Sequence, residues 1–215
     1  MRPREAERLA HALGLEDFET VLAALDAVYR DVDAMIRAGQ QGLDLPCRAG
    51  CDACCHEAVF VSAPEFFAVA VHLLDAPIDV RRRIVAEMRA LADKFEDELM
   101  LLEALPAGAE RDEVAERVRF RCPLLSSAGE CTVYAVRELN ARTFGASRDE
   151  LKGQPYGCEL THQRLRVLPE AAEHLPSARE ARRWLRDRVP GAGDVRVYPW
   201  WFSSYGQFLI DAPDA

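Results

Sequence analysis

Four cysteines within nine residues constrain this chain more than any other feature of its sequence. Cys47, Cys51, Cys54 and Cys55 form the pattern C-x3-C-x2-C-C on the segment Leu45 to His56, which has neither the helical nor the strand period. Thiolates bind zinc, copper(I) and iron–sulfur clusters, and short spacings direct several sulfurs at one centre. Burial of all four as small apolar residues is disfavoured, because a polar loop is poor core patterning. The segment therefore predicts a metal-binding loop.

Three cysteines further along the chain complete the predicted site. Cys122 and Cys131 flank the turn residues 126–129, which can return both sulfurs to the same place. Cys158 stands alone after an irregular run, so both ligation and burial as a small apolar residue remain open for it. The predicted ligand set is Cys47, Cys51, Cys54, Cys55, Cys122, Cys131 and Cys158.

The adjacent pair Cys54 and Cys55 bears on the identity of the metal. Neighbouring side chains point in different directions on an extended backbone, which is awkward for two ligands of one tetrahedral ion. A polynuclear centre uses them more easily, and the seven thiols are too few for two all-cysteine tetrahedral sites. This favours an iron–sulfur cluster, and a zinc site remains open.

The net charge and the hydropathy of the chain limit the kinds of partner that it is expected to bind. Lys and Arg total 27 against 36 Asp and Glu, a net charge of −9, which disfavours binding to a phosphate backbone. The most apolar stretch, residues 58–74, contains Pro64, Glu65 and His72 and falls short of a membrane-spanning segment. No signal-peptide pattern follows Met1. We expect a cytoplasmic protein with reduced thiols, a metal partner, and neither nucleic acid nor membrane as a partner; a protein partner is left open.

The rest of the chain predicts a mainly α fold: a single domain of several amphipathic helices with cysteine-rich metal-binding loops and few short strands. An apolar stripe predicts a helix over 17–37 that stops before Gly42, and its packing on the chain's own core is favoured over a coiled-coil seam. Capping boxes at Ser62 and Ser177 begin two more helices. Another helix is expected from Asp79 through Leu102.

Three segments are predicted within this domain. Residues 1–44 form an N-terminal helical segment, 45–160 the cysteine-cluster metal-binding domain, and 161–215 a C-terminal helix and aromatic tail packed on the same domain. The tail alternates like an edge strand over 195–198, and the aromatic residues 200–202 are expected to pack against the body of the domain.

The cysteine-bearing motifs resemble a known family, the YkgJ-type cysteine-cluster proteins, which are described as zinc- or iron-chelating domains. The resemblance is carried by Cys47–Cys55, Arg121–Leu124, Cys131–Tyr134 and Arg137–Arg142, and it spans roughly residues 45–160. It implies that thiolates from the separate loops at 47–55 and 122–131 converge on one metal centre.

One departure from the family pattern affects the ligand set. The family shows a proline and a cysteine where this chain has Glu138 and Ala141. The missing thiolate leaves open a different metal, an open coordination position or a degenerate site. Some relatives carry the cluster motif within flagellin lysine methylases, so the resemblance also permits an enzyme.

Several other residues have two interpretations. His56 and His162 follow cysteines and are either nitrogen ligands or ordinary surface histidines. Arg137 and Arg142 either donate hydrogen bonds to cluster sulfurs or form salt bridges. The three consecutive arginines at 81–83 are expected to lie on a solvent-exposed face of their helix.

The leading hypothesis is a metal-binding protein that holds an iron–sulfur cluster or zinc through cysteine thiolates. One alternative is a metal-dependent protein-modifying or redox enzyme, although no phosphate loop, nucleophile elbow or zinc-protease motif occurs. The other is a metal-delivery or thiol redox protein that uses exposed cysteines such as Cys51 and Cys54.

Overall fold

The computed structural model describes residues 3–46, 50–106, 108–150 and 154–211. Cys47 lies outside these residues, so its predicted role as a ligand stays a prediction. The described part of the chain is mainly helical, as expected. Its helices are α1 (Pro3–Ala12), α2 (Phe18–Gly39), α3 (Ala63–Leu73), α4 (Ile78–Lys94), α5 (Glu96–Ala104), α6 (Ala109–Arg117), α7 (Leu139–Thr143), α8 (Glu159–Leu165), α9 (Pro169–Ala172), α10 (Ala178–Arg188), α11 (Tyr198–Tyr205) and α12 (Gln207–Ile210).

Short strands and 3-10 turns connect these helices. The strands are β1 (Phe60–Ser62), β2 (Arg148–Asp149), β3 (Gln154–Pro155) and β4 (Val195–Val197), and 3-10 turns occur at Ala53–His56 and Tyr134–Val136. β1 pairs with β4 and β2 pairs with β3, both antiparallel. The described part of the chain contains no helix that is both long and apolar enough to cross a membrane.

The predicted amphipathic helix near the N-terminus is present as α2. The Asp17 side chain accepts a hydrogen bond from the Thr20 amide at its start. The stripe was predicted from Val21, Leu25, Val28, Val32 and Met35. The first four are buried in the main core, and Ile36 rather than Met35 takes the last buried position. The helix ends at Gly39, three residues before the predicted stop at Gly42.

Helix α3 lies at the centre of the molecule and begins at the predicted capping box. Both the amide and the hydroxyl of Ser62 donate to Glu65 Oε2, at 2.9 and 2.7 Å. Nine of the eleven residues of this helix are buried. Glu65 is therefore a buried carboxylate rather than a solvated helix cap.

The prediction of a single long helix from Asp79 through Leu102 is wrong, because the helix is interrupted at Phe95. That residue has φ −112° and ψ 26°, and it separates α4 from α5. The three acidic residues that open α5 are favourable at the positive end of a helix dipole. After the break, Leu99 and Leu102 pack with Val114 of α6 in a second, smaller apolar cluster.

Arg81 contradicts the expectation of a solvated arginine face. Its side chain is fully buried, and Nη1 donates to the carbonyl of Leu209 at 2.7 Å. Only Arg82 and Arg83 of the run are exposed. Arg81 thus ties α4 to the last helix of the described chain.

Residues of the C-terminal segment pack in the main apolar core. β4 covers residues 195–197 of the predicted strand, and Phe60 lies opposite Val197 in its pairing with β1. Trp201 and Phe202 lie on α11 in the main core, and the Trp201 indole donates to the Val61 carbonyl at 2.8 Å. This places the aromatic tail directly behind the strand that follows the cysteine loop.

Candidate metal centre

The early cysteine loop is not extended where its adjacent cysteines lie. Cys54 and Cys55 fall within the 3-10 turn Ala53–His56, and the Cys55 amide donates to the Asp52 carbonyl at 2.8 Å. The extended backbone expected at Cys54 and Cys55 is therefore wrong. The turn brings both side chains onto the wall of the same cavity, together with Cys51.

The second loop returns on itself, as the turn residues predict. The Ser126 amide donates to the Glu130 carbonyl at 2.8 Å, and Gly129 has φ +78°, a conformation that glycine adopts without strain. Cys131 forms an isolated antiparallel bridge with Leu125. Cys122 and Cys131 therefore lie on opposite arms of one tight loop. The region after Cys131, which the sequence left undecided between strand and helix, begins with the 3-10 turn at Tyr134–Val136.

A backbone hydrogen bond joins the two loops at their cysteines. The Cys122 amide donates to the carbonyl of Cys55 at 2.7 Å. Residues 67 positions apart in sequence are thus held side by side by the main chain itself.

Cys158, directly before α8, lies on the wall of the same cavity as the cysteines of the two loops. It is only 6% exposed, and its side chain lies against Gly145. A Cβ built on Gly145, where φ is +71°, would stand 2.9 Å from Cys158 Cβ. Close approach at this point requires a glycine.

These stretches enclose one cavity of about 60 Å³. Six cysteines line it, and they are Cys51, Cys54, Cys55, Cys122, Cys131 and Cys158. In the described ranges, however, no three His, Cys, Asp or Glu side chains are arranged so that they could hold a metal ion. The donor chemistry fits a thiophilic metal, but ligation would require these sulfurs to move closer together.

The electrostatics of the cavity keep three of its thiols protonated, those of Cys54, Cys122 and Cys131. The pKa of Cys54 lies far above the ordinary thiol value. The largest cause is a hydrogen bond with Cys55, and the second is burial. Burial raises the pKa of Cys122 to about 12, and burial also raises the pKa of Cys131. The negative charge of Glu138 adds to all three increases. These thiols are neutral at pH 7 unless a cation compensates their charge.

Glu138 is a residue of the cavity wall that sequence reasoning did not place there. Its side chain is 3% exposed; Oε1 accepts from the Ala141 amide at 3.1 Å and Oε2 from the Tyr198 hydroxyl at 2.9 Å. Burial raises the pKa of this carboxyl. The only sequence signal was its position within the family motif, where a proline was expected.

A second buried carboxylate supports the element that carries Glu138. Glu65 Oε1 accepts from the Leu139 amide at 2.7 Å and from the Tyr29 hydroxyl at 3.1 Å. Leu139 opens α7 directly after Glu138. Glu65 of α3 and Tyr29 of α2 therefore fix the position of the cavity's carboxylate.

The two arginines of the family motif have different environments. Arg142 is buried, but its donors go to Asp33 Oδ2 at 2.7 Å and to two backbone carbonyls, and it is not on the cavity wall. Arg137 does line the cavity, where its guanidinium lies 3.9 Å from the Tyr134 ring centroid. Only Arg137 is in a position to approach the sulfurs.

Neither candidate histidine lines the cavity. His56 is exposed, and its Nε2 lies 3.4 Å from Asp52 Oδ2. His162 lies on α8 and is half-buried. Among the described residues, the side chains of the cavity wall that can ligate a metal ion are the six cysteine thiols, the Glu138 carboxylate and the phenols of Tyr134 and Tyr198.

Comparison with known proteins adds no relative. No protein-family model, no curated protein and no solved structure matches this chain.

Proposed function

We propose that this chain is a metal-binding protein whose cysteine thiolates hold an iron–sulfur cluster or zinc. The observation that supports the proposal is the convergence of six cysteines, from the early loop, the middle loop and the start of α8, on one cavity. Thiols that served only as small apolar residues would be spread through the core. Three such separated cysteine stretches have no other reason to share one wall.

The chemistry of the cavity also favours metal binding over thiol redox activity. A thiol attacks a disulfide as its thiolate, and the raised pKa values of Cys54 and Cys122 leave little thiolate at neutral pH. A bound cation, by contrast, displaces the protons and stabilises the thiolates. Half-buried, neutral thiols such as Cys54 and Cys122 on the wall of one cavity are therefore better suited to ligation than to exchange.

The proposed ligand set includes residues of both loops. Cys47 belongs to it on the C-x3-C-x2-C-C spacing and on the resemblance to the YkgJ-type family. Ala141, at the position of the missing family cysteine, lines the same cavity. Cys158 lines it too, and its role as ligand or packing residue is open to direct test.

Anaerobic purification with elemental analysis and a visible spectrum tests the proposal. Iron with inorganic sulfide and broad visible absorption would identify a cluster, and a colourless protein with bound zinc would identify a zinc site. Protein that contains neither metal, and takes up neither after reconstitution, would contradict the proposal.

We expect Cys54→Ser to lower metal affinity and thermal stability together. Loss of a ligand should weaken binding by more than the about 10–100-fold that follows loss of a ligand's supporting partner. His56→Ala, in the same 3-10 turn but off the cavity wall, is the matched control and should retain full metal content. Unchanged metal content in the Cys54 variant would overturn the site assignment, and metal content in Cys158→Ser decides whether Cys158 is a ligand.

A further inference from the structure

Glu138 is a buried carboxylate that faces the thiol cavity without a cationic partner. Its two oxygens accept hydrogen bonds from a backbone amide and from the Tyr198 hydroxyl, both neutral donors. No lysine, arginine or histidine of the described chain forms a salt bridge with it. Burying a carboxylate without a counter-charge is costly. The buried Glu65 offsets that cost with four hydrogen-bond donors, from the Ser62 amide and hydroxyl, the Tyr29 hydroxyl and the Leu139 amide. Glu138 has only two donors, and it lies on the wall of the cavity.

The arginines closest in sequence are engaged elsewhere. Arg142 pairs with Asp33 at 2.7 Å, while Arg137 lies over the ring of Tyr134 and donates to its carbonyl at 3.1 Å. The positive partner of Glu138 would therefore have to come from the cavity that its side chain lines.

We propose that Glu138 is an oxygen ligand of the metal held by the cavity's thiolates, which makes the centre a mixed thiolate–carboxylate site. This inference rests on the proposed function. A carboxylate oxygen has two lone-pair directions, so each oxygen of Glu138 keeps one after its present hydrogen bond. Tyr198 and the Ala141 amide then orient the carboxylate as supporting partners of a ligand commonly do.

The position of Glu138 also accounts for the missing thiol. Residues 138 and 141 lie one helical turn apart at the start of α7, and both line the cavity. Because Ala141 has only a methyl group, it leaves space in which the longer side chain of Glu138, one turn earlier, can reach the metal. Oxygen ligation suits zinc and iron(II) and disfavours copper(I), which prefers soft ligands.

Metal-induced difference infrared spectroscopy tests this assignment directly. Metal-free protein is titrated with Zn²⁺, and with Co²⁺ as a coloured probe, in the wild type and in Glu138→Gln, which keeps the shape but removes the charge. Tyr198→Phe is the matched control, because it removes one hydrogen bond to the carboxylate and leaves the carboxylate in place. Thermal unfolding of each metal-free variant verifies that it folds.

The expected result is a carboxylate band that shifts when metal binds in the wild type and in Tyr198→Phe and is absent in Glu138→Gln. Affinity for Co²⁺ should fall about tenfold or more in Glu138→Gln, with sulfur-to-cobalt charge-transfer absorption retained. Identical spectra and affinities in wild type and Glu138→Gln would overturn this inference and leave the thiolate site intact. A wild type that binds neither ion, and that assembles no iron–sulfur cluster on reconstitution with iron and sulfide, would instead overturn the proposed function, and this inference with it.

Discussion

At the scale of single residues, the cysteines of the cavity wall were easier to find from the sequence than their surroundings. Their close spacing on polar loops singled them out, and the described ones share one cavity. Glu138 carried no comparable signal, since a glutamate gives no indication of burial in its own sequence. Its position depends on Tyr198, 60 residues away, and on the Glu65 carboxylate that supports the start of α7.

The buried Glu138 should make the stability of the metal-free protein depend on pH. Because its pKa is raised above the ordinary 4.5, the folded state binds more protons than the unfolded state above that pH. The free energy of unfolding should therefore fall as pH rises from about 4.5 through the folded-state pKa. Denaturant unfolding of chelator-treated wild type and Glu138→Gln measures the effect as their difference. A difference that stays constant across this range would show that Glu138 does not titrate with a raised pKa.

At the scale of elements, strong periodic patterns were predicted correctly and irregular backbone was not. The apolar stripe of α2 and the capping box of α3 each specify their helix locally. The break between α4 and α5 at Phe95 does not interrupt the apolar period, and it depends on packing against α6. The 3-10 turn that carries Cys54 and Cys55 is likewise fixed by tertiary contacts, among them the hydrogen bond from Cys122.

The start of α8 lies close to the loop after α7 at Gly145. This predicts that alanine substitutions at two glycines, Gly145 and Gly129, differ in their effects. Gly145 and Gly129 both have positive φ, at +71° and +78°, but only Gly145 has Cys158 within contact distance of an added Cβ. Alanine at either position should cost about 1–2 kcal/mol of backbone strain. Gly145→Ala should cost more than Gly129→Ala, because the added Cβ pushes Cys158 away, and it should reduce bound metal as far as Cys158→Ser does. Equal losses of stability, with metal content unchanged in both, would contradict this account of Gly145.

At the scale of the whole molecule, the main apolar core extends well beyond the cavity, whose wall contributes only a few of the core residues, among them Leu124, Val133 and Tyr198. The main core combines residues of α1, α2, α3, α4, α10 and α11, and thus of all three segments predicted from the sequence. This differs from a small zinc domain, in which ligation supplies most of the folding free energy. The described loops at 50–56 and 122–131, by contrast, share few backbone hydrogen bonds beyond that from Cys122 to Cys55.

Metal removal should consequently loosen the loops without unfolding the helical body. We expect chelator-treated protein to keep its helical circular dichroism and to melt at a lower temperature, since metal binding stabilises only the folded state. Hydrogen exchange should quicken at the Cys122 amide, whose bond to Cys55 joins the loops, while the Trp201 indole N–H bonded to Val61 stays protected. Loss of helical signal on chelation would mean that the apolar core cannot hold the fold alone. Unchanged exchange at Cys122 would mean that the loops are held together without the metal.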